Sequence, residues 1–240
     1  MTDTDFPQFN LLTGKLRSTK GALIDMDGVL YDSMKYHTLA WHKMMTELGL
    51  PVTRDEFYLY EGMTGAATIN LLFKRHLNRE CDCEEVKRLY AVKTRYFHEL
   101  GQREPMPGAD RMINALMSAG IPRVLVTGSG QASILDGLNT DYPGAFPDNL
   151  RVTAADVVKG KPDPEPYLKG LEKLQITPSE AIVIENAPLG VRAGKDAGIF
   201  TIAVTTGPIP RIEFEKEGAD IIFPSMDDFA DTLTKCVTLL

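Results

Sequence analysis

The sequence predicts a doubly wound, mostly parallel α/β sheet with one inserted helical cap, and three observations predict it. From residue 104 onward, short apolar, β-branched runs alternate with stretches of helical apolar spacing, the rhythm of a parallel sheet covered on both faces. Only one strand-like run, Gly21 to Asp25, precedes that region. Between the two, residues 35 to about 103 read as helix throughout and interrupt the alternation. A chain of 240 residues suits one large domain carrying a smaller insert. The expected organisation is a Rossmann-like core of residues 1–34 and 104–240 and a helical cap of residues 35–103.

The polar first eighteen residues read as a loosely held tail. Gly21 to Asp25 is the first strand, and the loop after Asp32 and Ser33 leads into the cap. There Ala40, Trp41, Met44, Met45 and Leu48 share one helical stripe, and Ile69, Leu71, Leu72 and Phe73 share another. The breaker cluster Pro105, Met106, Pro107, Gly108 ends the insert, so both boundaries read as hinges. Beyond it Ala109 to Ala119 and Tyr167 to Leu174 have helical spacing. The strand candidates are Arg123 to Val126, Arg151 to Thr153, Ala181 to Ile184, Thr201 to Val204 and Asp220 to Phe223. There is no internal repeat and no low-complexity segment.

With 26 Lys and Arg against 33 Asp and Glu, the net charge is −7, which argues against a general binder of nucleic acid or of membrane surfaces. The charge is uneven. Residues 35–103 hold 11 basic against 9 acidic residues, a balance of +2, and the remaining −9 belongs to the sheet domain. No apolar run reaches a membrane span and the first twenty residues lack a signal-peptide pattern, so a cytoplasmic protein, without membrane partners and monomeric, is expected. Cys81, Cys83 and Cys236 form no CxxC pair and are odd in number, which speaks against a disulfide framework or an all-cysteine zinc site.

Ligands of an open parallel sheet bind beyond the carboxyl ends of the strands, and four of those ends carry chemistry. Asp25-Met26-Asp27-Gly28-Val29 places two carboxylates at the first strand's mouth. Such a pair repels unless a cation lies between its members or one holds a proton, although an Asp-rich turn is the plainer reading. Thr127-Gly128-Ser129-Gly130 follows the second strand, and its hydroxyls and backbone N–H groups suit a phosphate or simply cap a helix. Lys161 stands in Lys159-Gly160-Lys161-Pro162-Asp163-Pro164, either a fixed cation or an ordinary surface lysine. Glu185-Asn186 ends a fully apolar strand and offers two hard oxygen ligands, with an N-cap the competing account of Asn186. Their convergence on one rim points to phosphoryl transfer.

These residues, in this order, resemble the four motifs of the haloacid dehalogenase superfamily: Asp25-Met26-Asp27-Gly28-Val29, then Thr127, then Lys161 with Pro162, then Glu185-Asn186 with Gly190. Residues 20 to 235 look like its β-phosphoglucomutase-like branch, including the inserted cap and the His37 and Trp41 pattern on its first helix. The resemblance implies that Asp25 is the nucleophile of an aspartyl-phosphate and Asp27 the acid and base. It implies that Thr127 and the Gly128 and Ser129 N–H groups hold the phosphoryl oxygens, and that Lys161 balances their charge. It also implies Mg²⁺ bound by Asp25, the backbone carbonyl of Asp27 and the Glu185-Asn186 pair.

The cap loop departs from the branch's mutases, which place a lysine and an arginine there for a second, distal phosphate. In Tyr60-Glu61-Gly62-Met63-Thr64-Gly65-Ala66 those positions carry Glu61 and Gly65, and a carboxylate facing a dianionic sugar phosphate is repulsive. The segments around Glu61-Gly62, Thr127 and Glu185-Asn186 look like those of an inorganic pyrophosphatase of the branch. The expected activity is hydrolysis of a small phosphate compound, pyrophosphate first, with a β-phosphoglucomutase-type isomerase or a sugar-phosphate phosphatase as the alternative. Glu61 otherwise reads as a helix-end glutamate, His37 as a helix histidine that touches substrate or packs, and His42, His76 and His98 as surface or packing residues.

Overall fold

A computed structural model describes residues 5–100, 104–129 and 132–240, with backbone alone for residues 5, 6 and 132–136. Six parallel strands form one sheet in the order β3-β2-β1-β4-β5-β6. They are β1 (Gly21–Ile24), β2 (Arg123–Val126), β3 (Arg151–Val152), β4 (Ala181–Glu185), β5 (Phe200–Val204) and β6 (Ile221–Phe223). The strand order reverses on either side of β1, so its carboxyl end lies between those of β2 and β4, at the crevice where doubly wound sheets bind ligands.

Successive residues of a strand point to opposite faces, and both faces are covered here. Leu23, Val124, Val126 and Val183 pack with Tyr167 and Leu171 of α8 (Glu165–Leu174) and Ala193 of α9 (Pro188–Asp196). Ala22, Ile24, Leu125, Ile182 and Ile184 join a second layer with α6 (Ala109–Ser118) and α11 (Met226–Val237). The chain also forms α7 (Ala132–Asp141) and α10 (Arg211–Lys216). Among the described residues no helix is long and apolar enough to cross a membrane.

The expectation of a loose polar tail over the first eighteen residues fails. Residues Asp5–Leu16 form a helix, α1, that packs on α11. Phe9, Leu12 and Leu16 fall on one helical stripe; Leu12 and Leu16 are buried, and Thr13 donates its hydroxyl to Cys236 Sγ at 3.2 Å. The segment is too short to hold as an isolated helix; the packing partner that stabilises it lies at the other end of the chain.

The helical stretch after β1 is broken into α2 (Met34–Glu47), α3 (Glu56–Leu59), α4 (Gly65–Leu77) and α5 (Cys83–Leu100). Asn78, in the left-handed region, terminates α4. The segments that enter and leave this block run side by side: Asp32 N–H donates to Glu104 O and Met106 N–H to Leu30 O, both at 2.9 Å. Lys35 bridges Asp32 and Glu104 at 2.7 Å each across the same pair of segments.

Candidate active site

The sheet register brings together what the sequence scatters. Asp25 follows Ile24, whose ladder partners are Leu125 on β2 and Ile184 on β4. Thr127 therefore arrives from one neighbouring strand and Glu185 from the other. Lys161 comes from the loop after β3 and is 2% exposed. Its Nζ donates to Asp25 Oδ1 at 2.5 Å, Glu185 Oε1 at 2.6 Å and Val126 O at 3.0 Å. Burial opposes its charge, but the two carboxylates outweigh burial and raise its pKa.

Glu185 has different company from that of a metal ligand. Its Oε1 accepts from Lys161 and from the Tyr167 hydroxyl, and its Oε2 accepts the N–H groups of Asn186 and Ala187 at 2.8 and 3.0 Å. Both oxygens are engaged, so Glu185 holds Lys161 and shapes the turn after β4. Asn186 is 3% exposed and its Oδ1 has no hydrogen-bond partner, although a buried amide oxygen ordinarily has one. Its Nδ2 donates to Glu61 Oε1 at 2.5 Å, so the helical block is closed down on the core at this point. Gly28, at φ +86°, makes the turn beneath, where a Cβ would collide with the Asn186 amide.

The carboxylates are crowded. Burial, then Glu185 and Asp27, raise the Asp25 pKa to about 8 against the pull of Lys161. Burial, then Asp25, Glu185 and Asp27, push Glu61 well above the ordinary range, against the Asn186 hydrogen bond. Among the described residues no three of His, Cys, Asp or Glu converge as a ready metal cage. The fit for a hard divalent cation comes instead from the unpartnered Asn186 Oδ1 beside buried carboxylates whose charge Lys161 alone does not balance.

Asp27 belongs to a second network. Its Oδ1 accepts the Ser33 hydroxyl at 2.5 Å and meets His37 Nε2 at 3.1 Å. His37 Nδ1 lies 2.6 Å from Lys93 Nζ. A charged lysine can only donate, so with Lys93 protonated His37 accepts at Nδ1 and turns an Nε2–H toward Asp27. Burial acts to raise Asp27, but His37 and Ser33 outweigh it and hold its pKa low. His37 is lowered by burial and by Lys93. Lys93 is itself 2% exposed, and burial brings it down to about 7.

Sequence reasoning missed Lys93, and with it a cation in the cap: the loop at Tyr60–Ala66 has none, but α5 supplies one. The signal was present, since Leu89, Lys93, Tyr96 and Phe97 are the buried face of α5 and a lysine interrupts an otherwise apolar and aromatic stripe. Ser33, expected only as part of a hinge, and Tyr167 were missed as well.

Residues of both networks line a cavity of about 60 Å³. Asp25, Asp27, Thr127, Gly128 and Ser129 line it from the core, and His37, Trp41, Tyr60, Glu61, Tyr90 and Lys93 from the helical block. Thr127 Oγ1 accepts the Ser129 N–H at 3.0 Å, which fixes the turn after β2. Gly130 of that turn lies outside the described residues. His42, His76 and His98 are not among the residues lining the cavity.

Residues 19–198 match the family model described as haloacid dehalogenase-like hydrolase. The validoxylamine A 7'-phosphate phosphatase of Streptomyces hygroscopicus subsp. limoneus is 30% identical over 189 residues, 78% of this chain and 86% of that protein. The β-phosphoglucomutase of Bacillus subtilis is 27% identical over 217 residues, 87% and 91% of the two chains. A solved structure described as a putative β-phosphoglucomutase from Bacteroides vulgatus superposes with a TM-score of 0.87 at 45% identity, covering 95% of this chain and 97% of that one.

Proposed function

The chain belongs to the haloacid dehalogenase-like hydrolases and is a phosphatase-type enzyme, and from that premise we propose that it is a Mg²⁺-dependent phosphohydrolase whose substrate is inorganic pyrophosphate. The observation that carries the substrate is the cavity. At about 60 Å³ it is far below the ~300–1,000 Å³ of pockets that take drug-sized ligands. The helical block, tied to the core by Glu61 and Asn186, leaves little room at that place, which favours a leaving group no larger than a phosphate.

Asp25 is the nucleophile: burial raises its pKa, Lys161 and a bound cation would restore the ionised form, and that carboxylate attacks phosphorus as the bond to the leaving phosphate breaks. Thr127 and the turn after it receive the transferring oxygens, and Lys161, fixed between Asp25 and Glu185, balances their charge without having to reorganise. Ser33 and His37 hold Asp27 ionised, and an anionic substrate beside it raises its pKa, so that it gives a proton to the leaving oxygen and then takes one from the water that attacks the aspartyl-phosphate. Ser33 and His37 keep that carboxyl aimed. Asp25, the backbone carbonyl of Asp27 and Asn186 Oδ1 would hold Mg²⁺, with Glu61 facing it from the cap, and the ion supplies positive charge to the phosphoryl oxygens. Lys93 and His37 face the place of the leaving phosphate.

The relatives' names support a second reading, a sugar-phosphate phosphatase or a β-phosphoglucomutase-type isomerase. Lys93 gives that reading the cap cation it needs, but the cavity and Glu61 weigh against it. Phosphate release from pyrophosphate should require Mg²⁺ and fall at least ~10⁴-fold in Asp25→Asn, since removing a covalent nucleophile removes the route. Substantial turnover by a folded Asp25→Asn protein contradicts the assignment.

A further inference from the structure

We infer that Tyr167 is a positioning residue for phosphoryl transfer: its hydroxyl shares Glu185 Oε1 with Lys161 and so keeps the ammonium between Glu185 and the nucleophile instead of collapsed onto Glu185. This rests on the reading above that Asp25 attacks phosphorus, whatever the leaving group. Tyr167 lies in the first turn of α8 and is 0% exposed. It packs with Leu23, Val126 and Val183 in an apolar layer, where phenylalanine would fill the same space with no polar atom to satisfy. The hydroxyl instead donates to Glu185 Oε1 at 2.9 Å, and the Lys161 ammonium stands 5.0 Å from the centre of the Tyr167 ring.

An ammonium has three N–H groups, and those of Lys161 are taken by Asp25, Glu185 and Val126 O. A carboxylate offers about four lone-pair sites, and those of Glu185 are filled by Lys161, Tyr167 and the N–H groups of Asn186 and Ala187. The two backbone donors hold Oε2, so the carboxylate stays in place without Tyr167. What Tyr167 controls is the share of Oε1 left for Lys161. With the hydroxyl removed, a carboxylate oxygen of a fully buried residue lacks a donor, and Lys161, on its flexible stem, is the donor able to move toward it. The ammonium is then drawn to Glu185 at the expense of its 2.5 Å contact with Asp25, and the nucleophile loses the partner that aims it. Contacts to substrate from Thr127 and from the cap are untouched, so the loss falls on the chemical step.

The test measures kcat and KM for pyrophosphate and for glucose 6-phosphate in wild type, Tyr167→Phe, Lys161→Met and the double variant, all with Mg²⁺. Tyr167→Phe keeps the ring and removes one oxygen, so it should fold as wild type does, lower kcat by about 10-fold on whichever substrate is turned over, and leave KM within about twofold. In the Lys161→Met background the same substitution should lower kcat by less than about twofold, because the hydroxyl acts through the ammonium. A merely structural hydroxyl would lose the same factor in both backgrounds. A Tyr167→Phe enzyme with kcat within about twofold of wild type overturns this inference and leaves the proposed substrate standing. A loss confined to KM, or one that persists undiminished in Lys161→Met, also overturns it. If Lys161→Met does not fold, the split between kcat and KM in Tyr167→Phe decides alone. A wild type that prefers glucose 6-phosphate overturns the proposed substrate, and the role of Tyr167 is then decided on that sugar phosphate. A wild type that turns over neither removes both.

Discussion

The molecule buries two lysines to the same degree, each 2% exposed, and treats them in opposite ways. Lys161, in the core, meets two carboxylates at 2.5 and 2.6 Å. Lys93, in the cap, meets an imidazole nitrogen and the rings of Trp41, Tyr90 and Phe97. Burial alone disfavours both charges. The carboxylates reverse that for Lys161, whose pKa rises, and the more distant Asp27 does not reverse it for Lys93, which falls to about 7. The core lysine is a permanent charge, fixed where the proposed phosphoryl transfer would use it. Its cap counterpart has a charge that an incoming anion can settle.

Breaking the core pair should have the largest effect. Lys161→Met leaves Asp25 and Glu185 buried with no cation between them, so urea unfolding should show a loss of about 3–5 kcal/mol, and turnover should fall by about 10³-fold. Lys93→Met strands no carboxylate in contact with it and is nearly volume-conserving. It should leave stability within about 1.5 kcal/mol of wild type and lower kcat/KM for pyrophosphate by about tenfold, about 1.4 kcal/mol of transition-state binding. Equal stability losses in the two variants would erase the distinction between the lysines.

Much of the core half was legible because a strand buried on both faces reads as a plain apolar run. The ends of those runs at Asp25, Thr127 and Glu185 therefore mark the rim in advance. Lys161 could be placed there by its order in the chain. The cap half was harder to read. A lysine in a helix ordinarily sits in solvent, and only the burial of Leu89, Tyr96 and Phe97 around it makes Lys93 internal. Likewise, α1 depends on α11 at the far end of the chain. The donors to Glu185 were invisible for a different reason: sequence places its carboxylate at the rim but not the Tyr167 hydroxyl and N–H groups that occupy it.

The pH profile sharpens the comparison with a smaller effect. A lysine lowered from 10.5 to about 7 is charged below pH 7 and neutral above it. If its charge receives the leaving phosphate, kcat/KM for pyrophosphate should decline as pH rises through about 7, since that parameter reports the free enzyme. The decline should be absent in Lys93→Met. A limb that persists unchanged in Lys93→Met belongs to another group.

The most direct measurement is the wild-type ratio of kcat/KM for pyrophosphate to that for glucose 6-phosphate and β-glucose 1-phosphate, with Mg²⁺ present. A preference for pyrophosphate of at least ~10-fold, about 1.4 kcal/mol, is the result expected of a cap that closes on a phosphate-sized cavity. Conversion of β-glucose 1-phosphate to glucose 6-phosphate faster than phosphate release from pyrophosphate would contradict it.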